Sequence, residues 1–241
     1  LATTKPGSLL KKAIPIRTFT PWEDEHPGFL EIDLVAHCGP STEGTYLNTL
    51  TGTDLATGWT ECLALANKSQ AAVSQAIVEL RQHLPFPLLG LDSDNGSEFI
   101  NETLLRYCQT EQITFTRSRP YQKNDQAHVE QKNWSVVRHT IGYDRLESSE
   151  ALSLLRSIYG DLRLYINFFQ PVLKLVAKER VDGKTTKKYD PAKTPYRRVM
   201  ALDSISLEIK ARLTAQYVQL NPVKLRATID AKVDQLWKLV R

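Results

Sequence analysis

Three β-rich runs follow one another in this chain before any helical period appears. Gly28 to Cys38 (GFLEIDLVAHC) alternates imperfectly around an apolar stretch and reads as a buried strand. Tyr46 to Thr53 and Trp59 to Leu65 are two further runs, and Asp54-Leu-Ala-Thr-Gly58 between them supplies turn residues, which predicts a meander. At Ser69 the period changes. Val73, Ile77, Leu80 and Leu84 recur at helical spacing behind a Ser N-cap, and Pro85 and Pro87 end the helix. Leu88 to Asp92 is then a short strand. Ser97 to Gln109 is a helix with Phe99, Leu104, Leu105 and Cys108 inward, and Ile113 to Thr116 is another strand. Helices are predicted over Asn124 to Tyr143 and Ser148 to Phe169. Meandering strands followed by strands alternating with helices imply one α/β domain, a mixed sheet with helices on both faces.

The flanks read differently. Residues 1–27 hold Pro6, Pro15, Pro21 and Pro27 with little periodicity and are expected to form a linker or extended arm. Beyond residue 170, Lys174 to Thr194 reads as a mobile loop, and Ser204 to Leu220 and Pro222 to Val240 as two final helices. The expected division is an arm over 1–27, a core over 28–170, and a basic loop with a mostly helical C-terminal extension over 171–241.

Charge follows this division. Gly28 to Glu147 carries nine Lys and Arg against fifteen Asp and Glu, a net of −6, whereas Val172 to Arg198 carries nine against three, a net of +6. An acidic core between basic flanks suits a metal site beside polyanion-binding arms, and equally a solvated surface. No run of 18 apolar residues exists, so no transmembrane helix is expected, and no signal peptide is visible. The chain starts at Leu1 and Met200 is its only methionine, from which we expect a piece of a longer reading frame. Cys38, Cys62 and Cys108 lack metal-ligand spacing and read as small apolar residues in a reducing cytosol.

The acids carry the functional signal. Leu91 to Phe99 (LDSDNGSEF) places Asp92 and Asp94 at the end of a predicted strand, where α/β sheets hold ligands. It fails the calcium-loop pattern, since Gly96 and Ser97 fall where Asp or Asn and then Gly are required. Alone it reads as an Asn-Gly turn. Asp33 sits between Ile32 and Leu34 in an apolar run, where a charge costs several kcal/mol unless paired or metal-bound. No Arg is close in sequence and Glu31 adds negative charge, so a cation would relieve the cost; pairing with a distant Arg would as well. In Asn124 to Asn133 (NDQAHVEQKN), a helix would put Gln126, Glu130 and Asn133 on one face.

Asp33, Asp94 and Glu130 resemble the acidic triad of DDE transposases and retroviral-type integrases. Thirty-five residues, Asn95 to Val129, separate the second and third acids, the spacing of that family. Asp94-Asn95-Gly96-Ser97-Glu98-Phe99 is similar to its Asp-Asn-Gly-x-Glu-Phe motif. Pro120-Tyr121, Gln126, Ala127, Val129, Glu130 and Asn133 are similar to its last motif. The likeness covers residues 28 to about 145 and points most to bacterial insertion-sequence transposases. Lys123 stands where the family often has Pro, and Ala127 where it often has Gly. Val137 replaces a DNA-contacting Lys of the retroviral branch, which leaves Lys132, Arg138 or no residue for that role.

The resemblance implies a ribonuclease-H-like fold with a five-stranded sheet, and phosphoryl transfer with two Mg²⁺ or Mn²⁺ ions held by Asp33, Asp94 and Glu130. It implies cleavage at a DNA element's ends to free a 3′-hydroxyl, which then attacks target DNA. Asn95, Glu98, Gln126, His128 and Asn133 are expected to support the site. Asp92 is expected to satisfy backbone groups at the turn. Expected phosphate contacts are Arg117, Arg119, Lys123, Lys132 and Arg138 near the third acid, and Lys184, Lys187, Lys188, Lys193, Arg197 and Arg198 farther out. A homodimer or tetramer acting on DNA in the bacterial cytoplasm, at the nucleoid, completes the expectation. A nuclease of the same fold without strand transfer, and a catalytically silent DNA-binding or assembly fragment, are the alternatives.

Overall fold

Alternation along the first strand separates two environments. In β1 (Phe29–Ala36), Leu30, Ile32 and Leu34 serve one face of the sheet, and Glu31, Asp33 and Val35 serve the other. The computed structural model of the chain describes residues 8–17, 26–119, 125–181 and 184–240. β2 (Asn48–Asp54) and β3 (Thr60–Leu65) continue antiparallel from β1, while β4 (Gly90–Ser93) and β5 (Thr114–Arg117) are parallel to it. The order β3-β2-β1-β4-β5 is the mixed five-stranded sheet with flanking helices expected of a ribonuclease-H-like fold.

Each face has its own core. Leu30, Ile32, Leu50 and Leu91 pack with Val73, Ile77 and Leu80 of α2 (Gln70–His83) and Leu104 of α3 (Glu102–Thr110). On the other face Val35, Cys62 and Ala64 meet Leu155, Ile158 and Leu162 of α6 (Ser149–Phe169). Each buried Leu or Ile contributes about 1.5–3 kcal/mol relative to exposure. The same face carries α4 (Ala127–Lys132), a π-helical segment over Asn133–Arg138, and the single turn α5 (His139–Ile141).

Both sheet edges are covered. On β3, the Asn167 amide of α6 accepts from Thr60 N at 2.9 Å and donates to Thr60 O at 2.8 Å, taking the place of a neighbouring strand. Glu61 of that strand is buried and receives Arg163 through two nitrogens at 2.6 and 2.8 Å, with Trp59 Nε1 donating at 2.8 Å. On β5, Arg17 N donates to Arg117 O at 2.9 Å and Arg117 N to Pro15 O at 3.1 Å. The segment behind this bridge forms the short helix α1 (Ser8–Ala13), and Ile14 is buried in the core. Residues 8–17 are therefore docked on the core, unlike the extended arm expected.

Three further differences concern local structure. Lys174 to Thr194, read as a loop, carries the antiparallel strands β6 (Leu175–Val181) and β7 (Lys184–Tyr189). The first helix after β4 starts at Glu102 because the Asn101 side chain accepts Leu104 N at 2.8 Å as its cap. A helix not foreseen, α7 (Pro195–Ala201), precedes α8 (Leu207–Gln219) and α9 (Pro222–Trp237). Val199, Ile205 and Leu213 join the first core, where Tyr196 and Tyr217 stack at 4.8 Å; Ile229, Val233 and Leu236 of α9 join the second. No helix among the described residues is long and apolar enough to cross a membrane.

Candidate active site

Parallel pairing of β1 with β4 sets Glu31 beside Asp92 and Ile32 beside Ser93. One step further along the chain are Asp33 and Asp94, at the carboxyl end of the parallel pair. Asp94 lies in the turn after β4, where its Oδ1 accepts Gly96 N at 2.8 Å. Asn95 braces the same turn: its amide donates to Ser118 O at 2.9 Å and its carbonyl accepts Arg117 Nη1 at 2.9 Å. Asp33 accepts Leu34 N at 2.7 Å and the Asn133 side-chain amide at 2.8 Å. Glu130 lies exposed in the first turn of α4, one turn before Asn133.

Asp33 feels the other two acids. Burial pushes the Asp33 carboxyl up to about 7, with the Asp94 and Glu130 carboxylates adding to the rise and the Leu34 N–H and Asn133 amide opposing it. Asp94 is also raised, first by burial and then by Glu98, against the Gly96 N–H and the Lys11 ammonium of α1. The donors are all oxygen, the set that suits Mg²⁺ or Mn²⁺. Among the described residues, no group of three or more His, Cys, Asp or Glu is drawn together tightly enough to hold an ion as it stands. The all-oxygen donor set of Asp33, Asp94 and Glu130 fits a hard divalent ion.

Glu31 and Asp92 belong to a separate, inner arrangement. Glu31 is 1% and Asp92 0% exposed. Arg17 reaches both, at 3.3 Å to Glu31 Oε1 and 3.6 Å to Asp92 Oδ2. Thr116 Oγ1 donates to Asp92 Oδ1 at 2.6 Å. Asp92 is thus a buried acid of β4 facing β5, not a group that satisfies the turn. Burial raises it to about 6, against Thr116 and Arg17. The negative charge of Glu31, which made a metal attractive from sequence, is met by Arg17 instead.

Among the supporting candidates, Asn133 and Asn95 touch the triad or its turn. Glu98 acts on Asp94 through its charge. Gln126 is buried and donates to Asp92 O at 3.2 Å. His128 turns to Glu31, with Nδ1 at 3.2 Å from Oε1, rather than to Asp33.

Several expected phosphate contacts are engaged within the protein. Arg117 Nε donates to Lys11 O and Ile14 O, both at 3.1 Å, and its Nη1 to Asn95. Arg119 holds Asp125 through two nitrogens at 2.9 and 2.7 Å. Arg138 donates to Ala36 O at 3.0 Å and lies 4.7 Å over the Tyr143 ring. Arg198 binds Asp190 at 2.5 and 3.0 Å. Burial of Lys132 lowers its ammonium to about 8. Lys187, Lys188, Lys193 and Arg197 are exposed, Lys184 lies in β7, and Lys123 is outside the described residues. Val137 is wholly buried within the π-helical segment, although it lies seven residues beyond the exposed Glu130.

Sequence reasoning missed that the part-exposed Arg17 and the buried Thr116 meet the buried pair Glu31 and Asp92. Their partners are far apart in the chain, and nothing local in the sequence marks the pairing.

Residues 23–123 match the family described as Integrase core domain, which supports an integrase or transposase catalytic core. That match holds Asp33 and Asp94 and stops before Glu130. A stretch of 192 residues is 44% identical to "Uncharacterized protein y4rM" of Sinorhizobium fredii (strain NBRC 101917 / NGR234), covering 80% of this chain and 55% of that protein. The chain thus spans about half the length of the relative it matches.

Proposed function

From a chain whose residues 23–123 carry an integrase core domain, we propose a polynucleotidyl transferase of the transposase and integrase type, acting on DNA. Asp33, Asp94 and Glu130 hold two divalent ions, Mg²⁺ or Mn²⁺. The observation that carries this reading is geometric: Asp33 and Asp94 follow the paired Ile32 and Ser93 at the carboxyl end of the parallel β1–β4 pair, and Asn133, one turn beyond Glu130, donates to Asp33 at 2.8 Å; the raised Asp33 carboxyl, pushed up by burial and then by Asp94 and Glu130, agrees with it. Bound divalent ions supply stabilisation of the attacking and leaving oxygens of an in-line displacement.

The protein's own groups prepare that site. The Leu34 N–H and the Asn133 amide each hold one of the two Asp33 oxygens. The Gly96 N–H fixes one Asp94 oxygen. Asn95 and Arg117 hold the turn against β5. The exposed Lys187, Lys188, Lys193 and Arg197 track the DNA backbone outside the core. In the proposed reaction, water attacks the phosphodiester at a DNA element's end and displaces the 3′-oxygen, which leaves as a 3′-hydroxyl; that hydroxyl then attacks a target phosphodiester and displaces the target strand's own 3′-oxygen, so one P–O bond forms as another breaks in each step. Two ends must be joined, which calls for two or more copies of the chain.

The test mixes Asp94→Asn and Glu130→Gln proteins with element-end DNA and Mg²⁺. Loss of cleavage in both supports the triad, and wild-type cleavage by either refutes it. A strand-transfer assay on the unaltered protein separates a joining enzyme from a nuclease of the same fold.

A further inference from the structure

The helix that carries Glu130 is capped from another element. Gln126, at the N-cap position of α4, makes no side-chain cap. The first N–H groups of a helix have no acceptor within it. Here His128 N and Val129 N both donate to Glu31 Oε2, at 3.0 and 3.1 Å. The other oxygen, Oε1, faces Arg17 Nη1 at 3.3 Å and His128 Nδ1 at 3.2 Å. A carboxylate 97 residues away from His128 in sequence thus takes the place of the missing cap.

One turn beyond Glu130, Asn133 ties the far end of α4 to Asp33. Glu31 and Asp33 are two apart on one face of β1. The strand therefore grips the helix at both ends, and Glu130 lies between the grips.

We propose that Glu31 is a positioning residue for Glu130: held by Arg17 from the N-terminal segment, it fixes the start of α4 and with it the placement of the third acid relative to Asp33. The proposal rests on the reading of Glu130 as a metal-holding acid. It extends that reading to a buried group that touches neither DNA nor metal.

Glu31→Gln is the informative change because it keeps the shape of the side chain. If the Gln carbonyl faces the two α4 N–H groups, its amide faces the Arg17 guanidinium. If the carbonyl faces Arg17, the amide meets the two N–H groups. Neither orientation serves both sides.

The experiment is residue-resolved amide hydrogen exchange on the full chain without metal, for wild type and Glu31→Gln. The expected result is exchange at His128 and Val129 faster by about tenfold, as for the loss of a charge-assisted hydrogen bond. Amides of the interior strand β2 should be unchanged. No change at those two positions, or an equal change throughout the fold, overturns the proposal. Should Glu31→Gln fail to fold, Glu31→Asp keeps the charge on a shorter stem and must speed the same two amides by a smaller factor.

End-DNA cleavage by the same variants should show kcat reduced with KM unchanged. Because exchange is read without DNA, metal or turnover, an active Glu130→Gln protein would refute the triad and leave the capping result standing. The converse would retain the triad and remove Glu31 from its support.

Discussion

Asn133 donates its side-chain amide to Asp33 at 2.8 Å, joining the end of the Glu130 helix to the strand that carries the first acid. This bond favours the charged form of Asp33 and fixes one of its oxygens. Partners that orient metal-binding groups are worth about 10–100-fold in metal affinity or activity. Asn133→Leu should therefore keep the fold and lose activity within that range. Circular dichroism and an end-cleavage assay on the same preparation check both halves.

Asp33 also yields a pH dependence. Its carboxyl in the folded protein is at about 7, above the ordinary 3.8, so the fold binds a proton more tightly than the unfolded chain does. The contribution is fully present below the ordinary value and is lost as pH rises through 7. Without metal, Asp33→Asn should raise the melting temperature at pH 8, an advantage that shrinks toward pH 4. Added Mn²⁺ should stabilise wild type and not the variant. Thermal scans from pH 4 to 8, with and without chelator, measure this directly.

The Glu61–Arg163 pair joins edge strand β3 to α6 in a buried setting. Arg163→Met leaves the Glu61 carboxylate with Trp59 Nε1 at 2.8 Å and the more distant His83 Nδ1 at 3.8 Å, but without its guanidinium. Breaking one side of such a pair costs about 3–5 kcal/mol. Arg163→Met with Glu61→Gln should recover a substantial part of that loss, since no buried charge then remains. Urea unfolding of the single and double variants gives the comparison.

DNA affinity should depend on salt through the exposed cations of the C-terminal region. Replacing Lys187, Lys188 and Arg197 by Gln should reduce the magnitude of the slope of log affinity against log salt by about 2–3. An unchanged slope would place the DNA elsewhere. Arg198→Gln should act differently, through stability, because Arg198 already holds Asp190.

The α/β framework is legible wherever a local pattern and a local cap coincide. Ser69 accepts Ala72 N and the apolar period of α2 follows directly; Ser148 and Ala151 do the same for α6. The hairpin of β6 and β7 is ambiguous in the sequence: Lys and Thr content with Asp182-Gly183 reads as a loop, while Val176, Val181, Thr185 and Thr186 around the same dipeptide fit a hairpin. The docking of residues 8–17 was not legible, because one buried Ile14 and a backbone bridge leave no periodic trace. At the site, Asp33 stood out as an acid in an otherwise apolar run. Glu31 stood beside it with the same character and a different fate. What separates them is Arg17 and the start of α4, neither of which lies nearby in the chain.

The π-helical segment after Glu130 has one further effect. In a regular α-helix, a residue seven places on returns to within about 20° of the same bearing. A wider turn between them delays that return by up to about one residue, or 100°. Val137 is accordingly packed in the core while Glu130 is exposed. The chain thus carries a phase slip just past its third acid. Any role transferred to position 137 by counting along an alignment lands inside the protein.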